Sequence, residues 1–164
     1  MNEFLVPNAR PYAARYQLEF AEPLGSGKDG IVLVARYMVK SADVAIKIFR
    51  FDDAYSREKQ TYQRLEHFSI TRVLGFNVPQ LLRFDDELRV LEMTIVKRPF
   101  ILDFAGAYLD RRPEFPPDVW GQWEAEKREQ FEERWPTIER ILCEFEGMGI
   151  YLLDVSPANI SFAD

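Results

Sequence analysis

Gly25-Ser26-Gly27-Lys28-Asp29-Gly30-Ile31-Val32 is the stretch on which the reading of this chain turns. Three glycines at this spacing let a backbone turn tightly and approach an anionic ligand with no side chain in the way. A plain hairpin turn explains the same residues, so the flanks decide. Before it, residues 16–24 carry Tyr16, Leu18 and Phe20 in alternation, the mark of a half-buried strand. After it, Ile31-Val32-Leu33-Val34 opens a second apolar strand over 31–39. A dinucleotide-binding unit needs a helix directly after the glycines, and here a strand follows. A P-loop needs Lys-Ser or Lys-Thr after its last glycine. Gly25 and Gly30 have the P-loop separation, but Ile31 and Val32 come next.

Working outward, residues 43–49 alternate again, with Val44, Ile46 and Ile48 on one face and Lys47 on the other. Lys47 falls 17 residues after Gly30, enough for the second strand and a return, which brings its ammonium under the glycine-rich turn. Residues 53–68 read as a helix, because Tyr55, Glu58, Tyr62 and Leu65 recur at steps of three, four and three. Glu58 lies inside that apolar stripe, and a carboxylate on a buried face needs a cationic or hydrogen-bonding partner. A Lys47–Glu58 pair accounts for both odd residues and would hold the ammonium for phosphate contact. Residues 81–84 and 88–96 read as a further pair of strands.

The character changes after Lys97-Arg98-Pro99. Pro99 breaks the strand, and residues 100–109 read as a short helix. Pro113, Pro116 and Pro117 mark a loop. A long helical region follows, its apolar positions Trp120, Trp123, Phe131, Trp135, Ile138, Leu142 and Phe145. Pro136 either kinks it or occupies the first turn of a new helix. Gly147 and Gly149 end it, and residues 150–164 hold two short apolar runs around Asp154, Pro157 and Asn159. Residues 1–96 are thus mostly β and 97–164 mostly α. The linker is too short to separate independent domains, so the expectation is one two-lobed α+β unit.

Composition narrows the function. Apolar residues make up 47% and charged residues 29%, which excludes disordered and fibrous classes. Lys plus Arg number 21 against 27 Asp plus Glu, a net charge of −6 that argues against a general nucleic-acid binder. Single cysteine and histidine residues, Cys143 and His67, exclude an intrachain disulfide, a cysteine-cluster zinc site and a paired-histidine centre. No membrane span is visible, and residues 1–10 show no leader pattern, so a cytoplasmic protein is expected. Trp120, Trp123 and Trp135 are expected to pack in the core, Cys143 to be buried and inert, and His67 to lie at the surface. The 124–134 run reads as a solvated helix face with Glu–Lys and Glu–Arg pairs.

Gly25-x-Gly27-x-x-Gly30-x-Val32, then Val44-Ala45-Ile46-Lys47, then helical Glu58, then Asp154-x-x-x-x-Asn159 resembles the protein kinases in order and approximate spacing. The resemblance covers residues 16–162. It implies a kinase-like fold: an antiparallel β N-lobe with one helix over 1–96, and a reduced helical C-lobe over 97–164 that ends just after the catalytic loop. It further implies ATP between the lobes. Gly25, Gly27, Gly30, Val32 and Ala45 would surround the nucleotide, with residues 92–97 near its adenine edge. Lys47 would touch the phosphates, Glu58 would orient Lys47, Asp154 would take or orient the acceptor's hydroxyl proton, and Asn159 would hold magnesium.

The chain also departs from the family. Leu152-Leu153 stand where His-Arg usually precedes the catalytic Asp, so no arginine there can pair with a phosphorylated loop. Ser156 replaces the usual lysine. No Asp-Phe-Gly or Ala-Pro-Glu follows Asn159, and Asp164, five residues on, is not expected to reach the place of the family's metal-binding Asp. A neutral amide alone is a poor magnesium site. Two readings therefore stand. One is a minimal ATP-dependent phosphotransferase acting on a protein or small-molecule hydroxyl. The other is a pseudokinase, a binding or regulatory module without transfer. The resemblance leaves the lower surface of the C-lobe open to a partner or a second copy.

Overall fold

The computed structural model describes residues 6–164; residues 1–5, part of the stretch read for a leader, lie outside them. Helix α1 (Val6–Tyr16) leads into strands β1 (Leu18–Ser26), β2 (Gly30–Tyr37) and β3 (Asp43–Phe49). Helix α2 (Asp52–His67), short strands β4 (Arg72–Val73) and β5 (Phe76–Asn77), and strands β6 (Leu81–Asp85) and β7 (Val90–Met93) complete the first half. The second half holds β8 (Phe100–Ile101), β9 (Tyr108–Leu109), α3 (Pro117–Phe131), α4 (Trp135–Glu146), β10 (Ile150–Tyr151) and β11 (Ile160–Ser161). The class is α+β.

The five longer strands form one antiparallel sheet in the order β1-β2-β3-β7-β6. Central β3 is buried on both faces apart from its first residue, which is why it reads as nearly continuous apolar sequence around Lys47. Its alternation sorts the core. Val44, Ile46 and Ile48 join Leu33, Val90 and the α1 residues Ala9, Tyr12 and Ala13 in one cluster. Ala45 and Phe49 join Tyr55, Tyr62 and Leu65 of α2 and the apolar residues of the second half in the other. Helix α2 has Asp52 and Asp53 in its first turn and Arg64 in its last, each sign opposing the local end of the helix dipole.

Three expectations need correction. Helix α1 replaces the start of the strand expected from residue 16. Its buried Ala9, Tyr12 and Ala13 follow helical spacing, but Pro11 and two arginines, Arg10 and Arg15, hide that stripe. Residues 100–109 are not helical. Phe100–Ile101 pairs antiparallel with β11 and parallel with β5, and Tyr108–Leu109 pairs antiparallel with β10. Asp103 has φ +67°, in the left-handed region, so the chain turns between those strands. Cys143 is exposed, because it falls on the outer side of α4 while Ile138, Ile141 and Phe145 take the buried side.

Pro136 occupies the first turn of α4, where its missing N–H costs no helix hydrogen bond. A 3₁₀ turn, Glu132–Arg134, separates α3 from α4. Trp135 is buried, while Trp120 and Trp123 are only half-buried. Glu124 and Arg128 pair at 2.7 Å on the solvated side of α3. No helix among the described residues is long and apolar enough to cross a membrane.

Candidate functional site

A cleft of about 600 Å³ opens between the sheet and the second half of the chain. Gly25, Gly27, Gly30, Val32, Ala45, Lys47, Glu58, Asp154 and Asn159 all line it. The structure therefore brings these nine sequence-derived site residues to one place. Leu102, Asp103, Tyr62 and the 93–96 segment complete the wall.

The glycines divide by role. A Cβ at Gly25 or Gly27 would meet nothing within 4 Å, so these two leave the mouth of the cleft open to a ligand. A Cβ at Gly30 would lie 2.1 Å from the Ile48 carbonyl oxygen, so this glycine is required by the close approach of β3. The turn is closed by the Gly27 N–H donating to the Gly30 carbonyl at 2.9 Å.

At the inner end, Lys47 Nζ donates to Glu58 Oε2 at 2.7 Å and to Asp103 Oδ1 at 3.2 Å. Strand register fixes Lys47 between Val32 and Leu91, and the helical step fixes Glu58 opposite it. Burial alone would drive the ammonium toward its neutral form. The charges of Glu58 and Asp103 reverse that, and the Lys47 pKa lies above its ordinary value. Burial raises the Glu58 pKa; Lys47 opposes the rise and the Asp103 charge adds to it. Two carboxylates share one ammonium, so the cluster carries a net negative charge that a further cation would relieve.

Asp103 is the residue that sequence reading missed. It sits at the turn after β8, which pairs antiparallel with β11, the strand leaving Asn159. Its Oδ1 faces Lys47 and accepts the Ala105 N–H at 3.3 Å, and no protein hydrogen bond among the described residues uses its Oδ2. Its side chain is 31% exposed. Phe104 is fully buried, edge-on to Tyr62 of α2 at 5.2 Å between ring centres. A Cβ at Gly106 would come within 3.2 Å of Asp154 Cβ, so this turn packs directly against Asp154. The available signal is Asp103-Phe104-Ala105-Gly106 itself, which precedes Asp154 in the chain and lies inside a segment that reads as a short helix.

Asp154 is exposed. The Asn159 amide nitrogen donates to the Asp154 carbonyl at 3.1 Å, which fixes the amide and turns its oxygen away from that bond. No group of three histidine, cysteine, aspartate or glutamate side chains converges among the described residues. Asp164 does not line the cleft. Its carbonyl instead accepts a hydrogen bond from Arg134.

The expected 92–97 edge is shorter by one residue at each end, since neither Glu92 nor Lys97 lines the cleft. Glu92 points to the opposite face of the sheet, fully buried, and accepts hydroxyl hydrogen bonds from Tyr12 at 2.6 Å and from Tyr37. Met93, Thr94, Ile95 and Val96 are the lining residues. The backbones of Ile95 and Val96 leave the ladder and make no hydrogen bond among the described residues. Val32 and Ala45, facing Leu102 across the cleft, leave an apolar slot beside that free edge.

Helix α2 is tied to the second half at two points. Arg57 Nε donates to the Ala105 carbonyl at 2.8 Å. Arg64 makes two hydrogen bonds to Asp110, at 2.6 and 2.9 Å, and reaches the Met148 and Gly149 carbonyls. Glu58, one residue from Arg57, is thereby held against Lys47. Neither a protein-family model nor any curated protein matches this chain.

Proposed function

We propose that this chain is a kinase-like ATP-dependent phosphotransferase acting on a hydroxyl acceptor. The observation that carries the reading is the Lys47–Glu58–Asp103 cluster in a cleft also lined by Gly25, Gly27, Asp154 and Asn159. The apolar slot between Val32, Ala45 and Leu102 suits a planar base. The free backbone edge at Ile95 and Val96 offers that base a donor and an acceptor. Lys47, charged and held by two carboxylates, would contact the phosphates under the open Gly25–Gly27 turn. Asp154 would accept or orient the hydroxyl proton as the acceptor oxygen attacks the terminal phosphorus and ADP leaves.

The kinase-like reading also accounts for the second half. In that family the metal-binding Asp stands at the end of a hairpin after the catalytic-loop Asn. Here β8 pairs antiparallel with β11, and on this reading that pairing would stand in for the hairpin, with Asp103-Phe104-Ala105 supplying the missing segment from earlier in the chain. The donor set fits magnesium: a carboxylate with an unused oxygen, a fixed amide oxygen, and a cluster with negative charge to spare. Asp103 and Asn159 would hold the ion with phosphate oxygens as its other ligands. When bound, magnesium neutralises developing charge on the transferring phosphates. A cytoplasmic location accords with this substrate and with a lone exposed thiol.

The test is thermal unfolding with ATP, with and without magnesium, together with ADP production. A magnesium-dependent shift and turnover lost in Lys47→Met and in Asp154→Asn support the reading. A shift without turnover in any acceptor mixture leaves the pseudokinase. No shift in either condition rejects nucleotide binding.

A further inference from the structure

A second, smaller cavity of about 210 Å³ lies between α3, α4 and the segment leading into Asp154. It shares no lining residue with the cleft described above. Three of its walls are indoles. Trp120 and Trp123 meet edge-on at 5.8 Å between ring centres, and Trp123 and Trp135 at 6.5 Å. The charged lining residues are Glu124, Glu139, Glu146 and Arg112, three carboxylates to one cation. Arg128 pairs with Glu124 at 2.7 Å and lies 4.0 Å from Glu139, while Glu146 has no ion-pair partner among the described residues.

We infer that this cavity binds a small organic cation of the alkylammonium class. Indole faces attract such cations through the ring quadrupole, and nearby carboxylates add to the field. The chain illustrates the preference itself: the Arg112 guanidinium sits 4.2 Å from the Trp120 ring centre. Trp135 is 5% exposed and sets the inner wall of the cavity. The volume falls below that of drug-sized pockets, so the ligand is a headgroup-sized molecule.

The site adjoins the proposed catalytic loop. The Trp123 indole N–H donates to the carbonyl of Leu153 at 3.2 Å, one residue before Asp154. Cys143, the only thiol in the chain, is exposed and lines the same cavity, which makes it a reporter of occupancy.

The experiment uses choline as probe and its neutral isostere 3,3-dimethylbutan-1-ol as control, without nucleotide. The rate of Cys143 alkylation and the tryptophan emission are read together. Choline at millimolar concentration is expected to slow alkylation and shift the emission, and the neutral isostere to do neither. Trp120→Leu and Glu146→Gln, both at solvent-accessible positions, should each weaken choline about tenfold. Arg112→Gln should strengthen it, because it clears the Trp120 face. Circular dichroism confirms that each variant is folded. Equal protection by the neutral isostere, or no protection by choline up to about a hundred millimolar, overturns the proposal. The outcome is independent of nucleotide binding, which is read separately by the ATP shift.

Discussion

Replacing Asp103 by Asn should move ATP binding in opposite directions with and without magnesium. Asparagine is the right probe because the residue has φ +67°, a conformation that Asn tolerates and Ala does not. The cluster then becomes a simple Lys47–Glu58 pair, so the unliganded protein should keep its stability within about 1 kcal/mol. Asp103 Oδ1 lies 3.2 Å from Lys47 Nζ. A phosphate oxygen on the same ammonium would stand about 5 Å from that carboxylate, where two unit charges repel by roughly 3 kcal/mol at an effective dielectric of 20. Because the Asp103 side chain is 31% exposed, solvent should cut this to about 1–2 kcal/mol. Metal-free ATP should therefore bind about tenfold more tightly to Asp103→Asn. With magnesium the lost carboxylate is a lost ligand, and affinity should fall at least about tenfold, with turnover down about 10²- to 10³-fold. In thermal unfolding each tenfold change appears as a difference of about 3–6 °C in the ligand-induced shift at limiting ATP. The reasoning is refuted if the two shifts fall together, or if magnesium-ATP stabilises the variant as it does the wild type.

Gly106→Ala should lower kcat about a hundredfold with little change in KM for ATP, because the new methyl meets Asp154 Cβ at 3.2 Å and displaces that side chain; steady-state kinetics check it. Gly30→Ala should destabilise the fold by about 3 kcal/mol or more in urea titration, since its Cβ would enter the Ile48 carbonyl at 2.1 Å and part β2 from β3. Arg64→Ala should leave the fold intact but free the end of α2, seen as faster amide exchange along α2 and a smaller ATP shift. Burial raises the Glu92 pKa above its ordinary 4.5 despite the Tyr12 hydrogen bond, so the folded state prefers the protonated form. Its contribution is then most favourable below pH 4.5 and is lost as pH rises through the raised value, and Glu92→Gln should flatten that decline in urea midpoints between pH 4 and 8.

The sheet and α2 were legible because one residue in two, or in three and four, had to be apolar, and the exceptions were informative. Lys47 and Glu58 each broke their element's pattern, and their mutual satisfaction at 2.7 Å is the simplest account of both. Helix α1 was hidden because, among its described side chains, it buries two alanines and one large residue, Tyr12, too little to rise above its arginines. The 100–109 segment was misread for a different reason. Its apolar residues are close-spaced, as in a helix, but strands of two residues cannot display a period of two. Cross-strand partners from 150–151 and 160–161 decide its form, and no local pattern reports them.

Asp103 shows the limit of arguing from motif order. On the proposed reading, what the site needs is a carboxylate beside Lys47, on a turn packed against Asp154 and Asn159. That requirement concerns neighbours in space and places no condition on which segment is synthesised first. Strands β8 and β9 pair with β11 and β10, which flank the 152–159 loop, so the Asp103 turn is held by the loop's own borders. Leu102 N–H donates to the Asn159 carbonyl at 2.8 Å, joining the two segments at the residues that matter. Helices α3 and α4 then supply the covalent connection between them. If the proposed function holds and those contacts are what its chemistry needs, placing Asp154–Asn159 before Asp103, by cutting at an exposed loop and joining through a flexible linker, should leave the magnesium-dependent ATP shift expected of the wild type. A rearranged chain that folds with the same α2 protection yet loses the shift would mean that the existing connection does more than hold the two segments together.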